Sequence, residues 1–198
     1  MNIIANNCVG GRLYQVRNTK FQNPFVWTRI VHDQFIYLIK NYDNIDWTHP
    51  SFGLNNIKSP NYMNAYCKVN DKLSLHYTHY VYDENEHEPT KIGLDVKYDK
   101  IIDYTKEKYW KRLEKMKTAG RPIYIYSFNA FTDTNERYFS RIKDLFDLKS
   151  DIYVVAFKSK QITFELPKHI KPIYLTDEEM KASTGSIAHK INEFVPYE

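Results

Sequence analysis

The chain has 198 residues, of which 42% are hydrophobic and 26% are charged, and its formal net charge at pH 7 is +4. This length suits one hydrophobic core, so we expect a single domain over residues 1–198, and no apolar stretch is long enough to predict an integral membrane segment. Lys and Arg are interspersed with Asp and Glu, which argues against a nucleic-acid partner.

The N-terminus does not have the pattern of a secretory signal, in which a basic region precedes a long apolar segment and a small-residue cleavage site. We therefore expect a cytoplasmic protein. Two cysteines, Cys8 and Cys67, allow at most one disulfide bond, which a reducing compartment disfavours. They also cannot form a zinc-binding cysteine cluster.

The first predicted elements are a short buried strand over Met1–Ala5, a turn at Asn6 and Asn7, and a helix that runs from Cys8 to about Arg17. A strand that turns directly into a helix places the residue at the junction near the helix N-terminus. The sequence therefore predicts Cys8 at this position.

Further elements follow with helical or alternating apolar patterns. The predicted helices are His32–Tyr42, Tyr104–Lys117 and Asn135–Leu148, and the predicted strands are Lys72–Tyr82, Pro122–Phe128, Asp151–Phe157 and Lys171–Leu175. Residues 44–72 are rich in turn formers and predict an irregular connection or short strands such as Met63–Val69. The basic stretch Lys106–Lys117 is typical of a solvated helix face. The strand-helix-strand order predicts an α/β fold with a mostly parallel sheet and helices packed on it.

Cys8 is the best candidate for a functional residue. A thiol in the first turn of a helix lies near unbonded N–H groups and the positive end of the helix dipole, which favour the nucleophilic thiolate. The backbone of Val9, Gly10 and Gly11 could stabilise an oxyanion, and the glycines would let a substrate approach closely. The alternative is a small buried residue between sheet and helix, which the pattern alone slightly favours.

A nucleophilic cysteine needs a base, and His79 is the first choice because a strand would place it rigidly. Tyr80 and Asp83 follow as groups that could orient it. His76 lies on the opposite face of the same strand, so only one of the two histidines can face a given site. A structural role is an equal alternative for either histidine. The spacing of His76, His79 and Asp83 matches no recognised metal site, and we expect no metal.

Two further positions are secondary candidates for a binding pocket. Asn129 and Asp133 follow the predicted strand Pro122–Phe128, where α/β proteins place ligand-binding loops. Turn and cap formation is the alternative role. His32 and the remaining histidines have no supporting pattern.

Four motifs occur in order along the chain: Asn6-Asn7-Cys8-Val9-Gly10-Gly11 with Tyr14, Asn23-Pro24-Phe25-Val26, Leu75-His76-Tyr77-Thr78-His79-Tyr80 and Lys108-Tyr109-Trp110-Lys111-Arg112. Together they resemble a bacterial family of unknown function called exopolysaccharide biosynthesis proteins, over roughly residues 1–160. The Asn-Cys and Pro-Phe motifs also resemble papain-like cysteine peptidases. Both families are similar in outline to capsule-locus acetyltransferases with a Cys-His site.

The resemblance implies a role in making or decorating a cell-surface polysaccharide, with Cys8 and His79 in the matching positions. We expect an acyltransferase without a tightly bound cofactor, which takes an acyl group from a donor such as a coenzyme A thioester and transfers it to a carbohydrate or activated-sugar substrate. Cys8 would form the thioester, with Asn7 and His76 in support. The alternatives are a papain-like hydrolase with water or an amine as acceptor, and a binding protein without chemistry.

Overall fold

Two four-stranded sheets organise the protein in a computed structural model that describes residues 2–56, 63–77, 81–82, 89–90, 98–128 and 135–196. The strands are β1 Asn2–Ala5, β2 Thr28–Arg29, β3 Ser51–Asn56, β4 Met63–Asn70, β5 Leu73–Tyr77, β6 Val81–Tyr82, β7 Pro89–Thr90, β8 Pro122–Ser127, β9 Ile152–Phe157 and β10 Ile170–Leu175. The helices are α1 Val9–Val16, α2 His32–Asn41, α3 Tyr98–Thr118, α4 Asn135–Lys143, α5 Asp177–Lys181 and α6 Thr184–Asn192, and a 3-10 helix covers Tyr42–Asn44.

The first sheet is parallel throughout, in the order β1-β8-β9-β10. All six residues of β9 are buried, as expected for a parallel strand that is covered on both faces. The carboxyl ends of the four strands therefore share one edge of the sheet. The predicted α/β class and the predicted parallel pair are confirmed.

The second sheet is antiparallel, in the order β2-β5-β4-β3, and α3 packs on β3 and β4. The expectation of a mostly parallel sheet thus holds for the first sheet only. The reason is local: β4 and β5 are joined by a two-residue turn, which can connect only antiparallel strands. Along β5 the buried Leu73, Leu75 and Tyr77 alternate with half-buried residues, as predicted.

Two helices have other ends than predicted, and part of the predicted solvated face of one helix is buried. Helix α3 begins at Tyr98 rather than Tyr104, and α4 ends at Lys143 rather than Leu148, where i to i−3 hydrogen bonds tighten the chain into turns. The prediction that the basic face of α3 is solvated is wrong at two positions, because Lys108 and Arg112 are buried. The charged end of Lys108 lies over the ring of Tyr104 and that of Arg112 over the ring of Phe21, each 5.2 Å from the ring centroid.

A buried arginine fixes the last helix of the chain to the first. Arg17 follows the end of α1, and its guanidinium donates hydrogen bonds to Oδ1 of Asn192 at 2.6 Å and to the backbone oxygens of Val195 at 2.6 Å and Pro196 at 3.1 Å. Helices α1 and α6 pack against each other along their length. The C-terminal segment thereby supports the helix that begins beside Cys8.

A fully buried amide fixes the loop before β2. The side-chain nitrogen of Asn23 donates to Oδ1 of Asn2 at 2.7 Å, to the backbone oxygen of Ile3 at 2.8 Å and to the hydroxyl of Tyr14 at 3.1 Å. Its Oδ1 accepts from the backbone N–H of Phe25 at 3.0 Å. These bonds attach the loop to both β1 and α1.

Replacing Asn23 by alanine should lower the free energy of unfolding by about 3 kcal/mol, because several buried polar groups lose their partner. Urea denaturation measures the loss. Gln22→Ala is the matched control, since the Gln22 side chain bonds the backbone oxygen of Lys20 at the surface, and it should change stability by less than about 0.5 kcal/mol. Equal losses in the two variants would contradict the role of Asn23.

Candidate functional site

The two sheets meet at Asn6, directly after β1. Its side-chain nitrogen donates to the backbone oxygen of Ser127 at 3.0 Å, and its Oδ1 accepts from the backbone N–H of Ser127 at 2.8 Å. The backbone N–H of Asn6 donates to Ile125 at 3.2 Å, and its backbone oxygen accepts from the N–H of Ile30 at 3.0 Å. We call this set of bonds the Asn6 joint. It ties the ends of β1 and β8 to the chain that leaves β2.

The next residue, Asn7, precedes the N-cap of helix α1. Its Oδ1 accepts from the backbone N–H of Val9 at 3.0 Å, and the backbone oxygen of Cys8 accepts the first intrahelical bond, from four residues later, at 3.1 Å. The N–H groups of Gly10 and Gly11 belong to the first turn, where a helix supplies no acceptor of its own. Val9, Gly10 and Gly11, which the sequence predicts as oxyanion donors, are buried, and the N–H of Val9 is already bonded to Asn7. Their role in stabilising an oxyanion stays a prediction.

Cys8 is the N-cap residue of α1 and is half-buried against the core. It follows the carboxyl end of β1 and is tied through the Asn6 joint to the carboxyl end of β8. Ligands of open parallel sheets bind at this edge. Helix α1 has no acidic residue in its first turn, so no carboxylate there repels a thiolate at Cys8.

The second cysteine has the environment of a core residue. Cys67 lies in β4 with no exposed surface, and burial raises the pKa of its thiol far above the ordinary value. The thiolate is the reactive form of cysteine, so Cys67 is inert in the folded protein. Neither Cys67 nor Cys8 forms a disulfide bond.

The missing side chains of the two glycines make room for the protein's own atoms. A Cβ on Gly10 would lie 3.1 Å from Cβ of Ala5, and one on Gly11 would lie 2.8 Å from the ring of Trp27. Trp27 is fully buried and has a φ of 64°, a strained value for a bulky residue. The space at these Cα atoms, which the sequence suggested for a substrate, is therefore filled by β1 and Trp27.

We expect Gly11→Ala to lower the free energy of unfolding by about 2 kcal/mol, because the new methyl group would overlap the buried ring of Trp27. Thermal or urea unfolding tests this. Gly120→Ala provides the control, as a Cβ there meets nothing within 4 Å, and it should be neutral or slightly stabilising. A neutral Gly11→Ala variant would show that α1 can move away from Trp27.

His76 is the supporting histidine that the structure describes. It lies on β5 opposite Arg29 of β2, and its ring centroid is 6.4 Å from that of Tyr66. Burial, and secondly the Arg29 guanidinium, lower the pKa of His76. The imidazole is therefore neutral at pH 7 and able to accept a proton.

Five predicted site residues lie outside the described ranges: His79, Tyr80, Asp83, Asn129 and Asp133. Their roles as base, orienting groups and pocket residues stay predictions.

Sequence reasoning missed one arrangement of polar side chains. Nδ1 of His32 is 2.8 Å from the hydroxyl oxygen of Tyr126, and its Nε2 is 2.9 Å from Oδ2 of Asp144. The His32 side chain is only 10% exposed, whereas Asp144 is 51% exposed. We call these three residues the His32 chain. Its members are far apart in the sequence, so no local motif indicates them.

Within the ranges that the structure covers, no group of three or more His, Cys, Asp or Glu residues is placed to hold a metal ion. Nor does any helix there have the length and apolar character needed to cross a membrane.

The geometry is that of an α/β protein with a half-buried cysteine where the first parallel strand becomes a helix. The chain belongs to the family described as a domain of unknown function, DUF1919, which it matches over residues 1–169. No curated protein sequence matches it significantly.

Iodoacetamide should alkylate one thiol of the folded protein, that of Cys8, and both thiols in urea, because Cys67 is fully buried. Intact mass and peptide mapping count and locate the labels. Cys8→Ser should remove the label from the folded protein, whereas Cys67→Ala should keep it. Labelling of Cys67 without denaturant would contradict the packing of β4.

Proposed function

We propose that this protein is a cysteine-dependent acyltransferase of cell-surface polysaccharide synthesis. It takes an acyl group from a thioester donor such as acetyl-coenzyme A and passes it to a hydroxyl of a sugar or activated-sugar precursor. One observation carries the chemical part of the proposal: Cys8 is half-buried at the carboxyl edge of the parallel sheet and is the N-cap residue of α1. The polysaccharide part is supported by the motif resemblance over roughly residues 1–160.

In the first step the histidine takes the proton of the Cys8 thiol, and the thiolate formed in this way attacks the carbonyl carbon of the donor. The carbonyl oxygen becomes an oxyanion, which the N–H groups of Gly10 and Gly11 can stabilise. Collapse of this intermediate breaks the bond to the donor sulfur, and the departing thiol takes a proton from the protonated histidine. The products are an acyl thioester on Cys8 and coenzyme A.

In the second step a sugar hydroxyl attacks the acyl thioester. The histidine takes the proton of the hydroxyl, and the bond to the Cys8 sulfur breaks to regenerate the thiolate. His79 is the proposed base, with Tyr80 or Asp83 as its orienting group. His76 is the alternative, because it is neutral at pH 7 and lies beside the strand that leads into the Asn6 joint.

The arrangement around Cys8 favours chemistry over a purely structural role. A structural cysteine in this protein looks like Cys67, which is fully buried, whereas Cys8 has exposed surface. The turn is held on both sides, by Asn6 on β8 and by Asn7 on α1. A nucleophile held in one geometry avoids the entropic cost of being ordered during the reaction.

Incubation with acetyl-coenzyme A should add one acetyl group to Cys8, visible by intact mass, and the acetyl group should leave when a sugar acceptor is added. Cys8→Ala should reduce transfer by at least about a thousandfold, as expected for loss of a nucleophile. Cys67→Ala should retain transfer.

The acceptor distinguishes this function from its alternatives. Release of the acetyl group into water without any sugar would assign a hydrolase instead. If no acetyl-enzyme forms with thioester donors and Cys8→Ala still binds carbohydrate as the wild type does, the protein is a binding protein and the acyltransferase proposal is wrong.

A further inference from the structure

The His32 chain contacts both sides of the Asn6 joint. His32 begins α2, two residues after Ile30, whose N–H donates to the backbone oxygen of Asn6. Tyr126 directly precedes Ser127, whose N–H and carbonyl both bond the Asn6 side chain. The bond between His32 and Tyr126 therefore closes a loop of contacts around the joint.

The positions of the hydrogens in the His32 chain follow from Asp144, which lies at its outer end. The Asp144 carboxylate can only accept, so Nε2 of His32 carries the hydrogen of that bond. In the neutral ring Nδ1 then accepts from the Tyr126 hydroxyl. Both nitrogens of the ring are bonded, which fixes its orientation in the way that an outer carboxylate fixes a ligating histidine.

Rings around Tyr126 hold its hydroxyl in place. The centroids of Phe35 and Phe128 lie 5.6 Å and 4.9 Å from that of Tyr126, and the His32 ring meets it edge-on at 5.4 Å. Tyr126 itself is 2% exposed. In this setting the phenol has a fixed position, and its bond to His32 sets the distance between the end of β8 and the start of α2.

We propose that His32 is a positioning residue for Cys8. It keeps the end of β8 against the start of α2, so that the Asn6 joint, and the turn that it holds, have one arrangement. The path from Tyr126 runs through Ser127 and Asn6 to Cys8. This role rests on the proposed function of Cys8 as a nucleophile, and His32 itself need not touch the substrate.

A polar network of this kind specifies an arrangement more than it adds stability. Replacing both partners of a buried hydrogen bond by apolar groups is often nearly neutral, whereas a fully bonded network selects one packing. Tyr126→Phe keeps the ring and removes only the hydroxyl, so it tests position with little change in packing. His32→Gln keeps a side-chain amide for Asp144 and removes the imidazole.

The alkylation rate of Cys8 at fixed pH is the readout, with Cys67 in the same molecule reporting unfolding. In Tyr126→Phe and His32→Gln we expect the Cys8 rate to fall about fivefold while Cys67 stays protected, because a turn without the bond between His32 and Tyr126 no longer keeps the Cys8 thiol in one place at the start of α1. Asp144→Asn keeps an oxygen acceptor for His32 and should keep the wild-type Cys8 rate. Asp144→Ala removes the acceptor and should lower that rate.

Tyr37→Phe is the matched control, since it also removes a hydroxyl that takes part in a hydrogen bond. Tyr37 lies in α2, like His32, and its hydroxyl accepts from the side-chain nitrogen of Asn70 at 3.3 Å. It should leave the Cys8 rate unchanged. Two results would overturn the positioning role: a wild-type alkylation rate of Cys8 in Tyr126→Phe, or a change in the Cys8 rate that is accompanied by labelling of Cys67.

Acetyl transfer separates this inference from the proposed function. If the wild type transfers acetyl groups and both His32-chain variants do so at the same rate, the positioning role alone fails. If the wild type transfers none, yet Cys8 labelling still depends on Tyr126 and His32, the acyltransferase proposal fails and the positioning role stands.

Discussion

The amide of Asn6 is the contact on which the relation between the two sheets depends. Strand β1 is a short edge strand, paired on one side with β8. By bonding both backbone groups of Ser127, Asn6 extends this pairing beyond the strand while the main chain is already turning into α1. Its own carbonyl then receives the N–H of Ile30, so one residue joins the parallel sheet, the first helix and the antiparallel sheet.

Contacts on several sides hold the turn that carries Cys8. Asn7 fixes the first turn of α1, Gly11 lets the helix lie directly on Trp27, and Arg17 anchors its far end. A neutral hydrogen bond such as that of Asn7 contributes about 1 kcal/mol to stability, and the bonds of the charged Arg17 contribute more. Acting on one helix of eight residues, they leave the thiol in a defined place at the sheet edge. Pre-organisation of this kind is what a nucleophile requires.

Local patterns were sufficient for the elements that bury a continuous apolar face. The predicted helix at Cys8 and the strands that became β8 and β9 differ little from the observed ones. Strand β2 was missed because two residues carry no periodicity. The contacts of the site were beyond sequence reasoning for another reason: Asn6 and Ser127 are 121 positions apart, and His32 and Asp144 are 112 apart. The Asn-Asn pair indicated a turn, but nothing in it indicated its partner.

The docking of α6 on α1 through Arg17 bears on where the folding unit ends. The family match stops at residue 169, just before β10, yet β10 pairs along the whole of β9, and α6 covers α1. A fragment cut at the family boundary would turn β9, apolar on both faces, into an open sheet edge. Such edges recruit strands from other molecules, so that fragment would tend to aggregate. For this chain, the family match therefore ends inside the parallel sheet rather than at its edge.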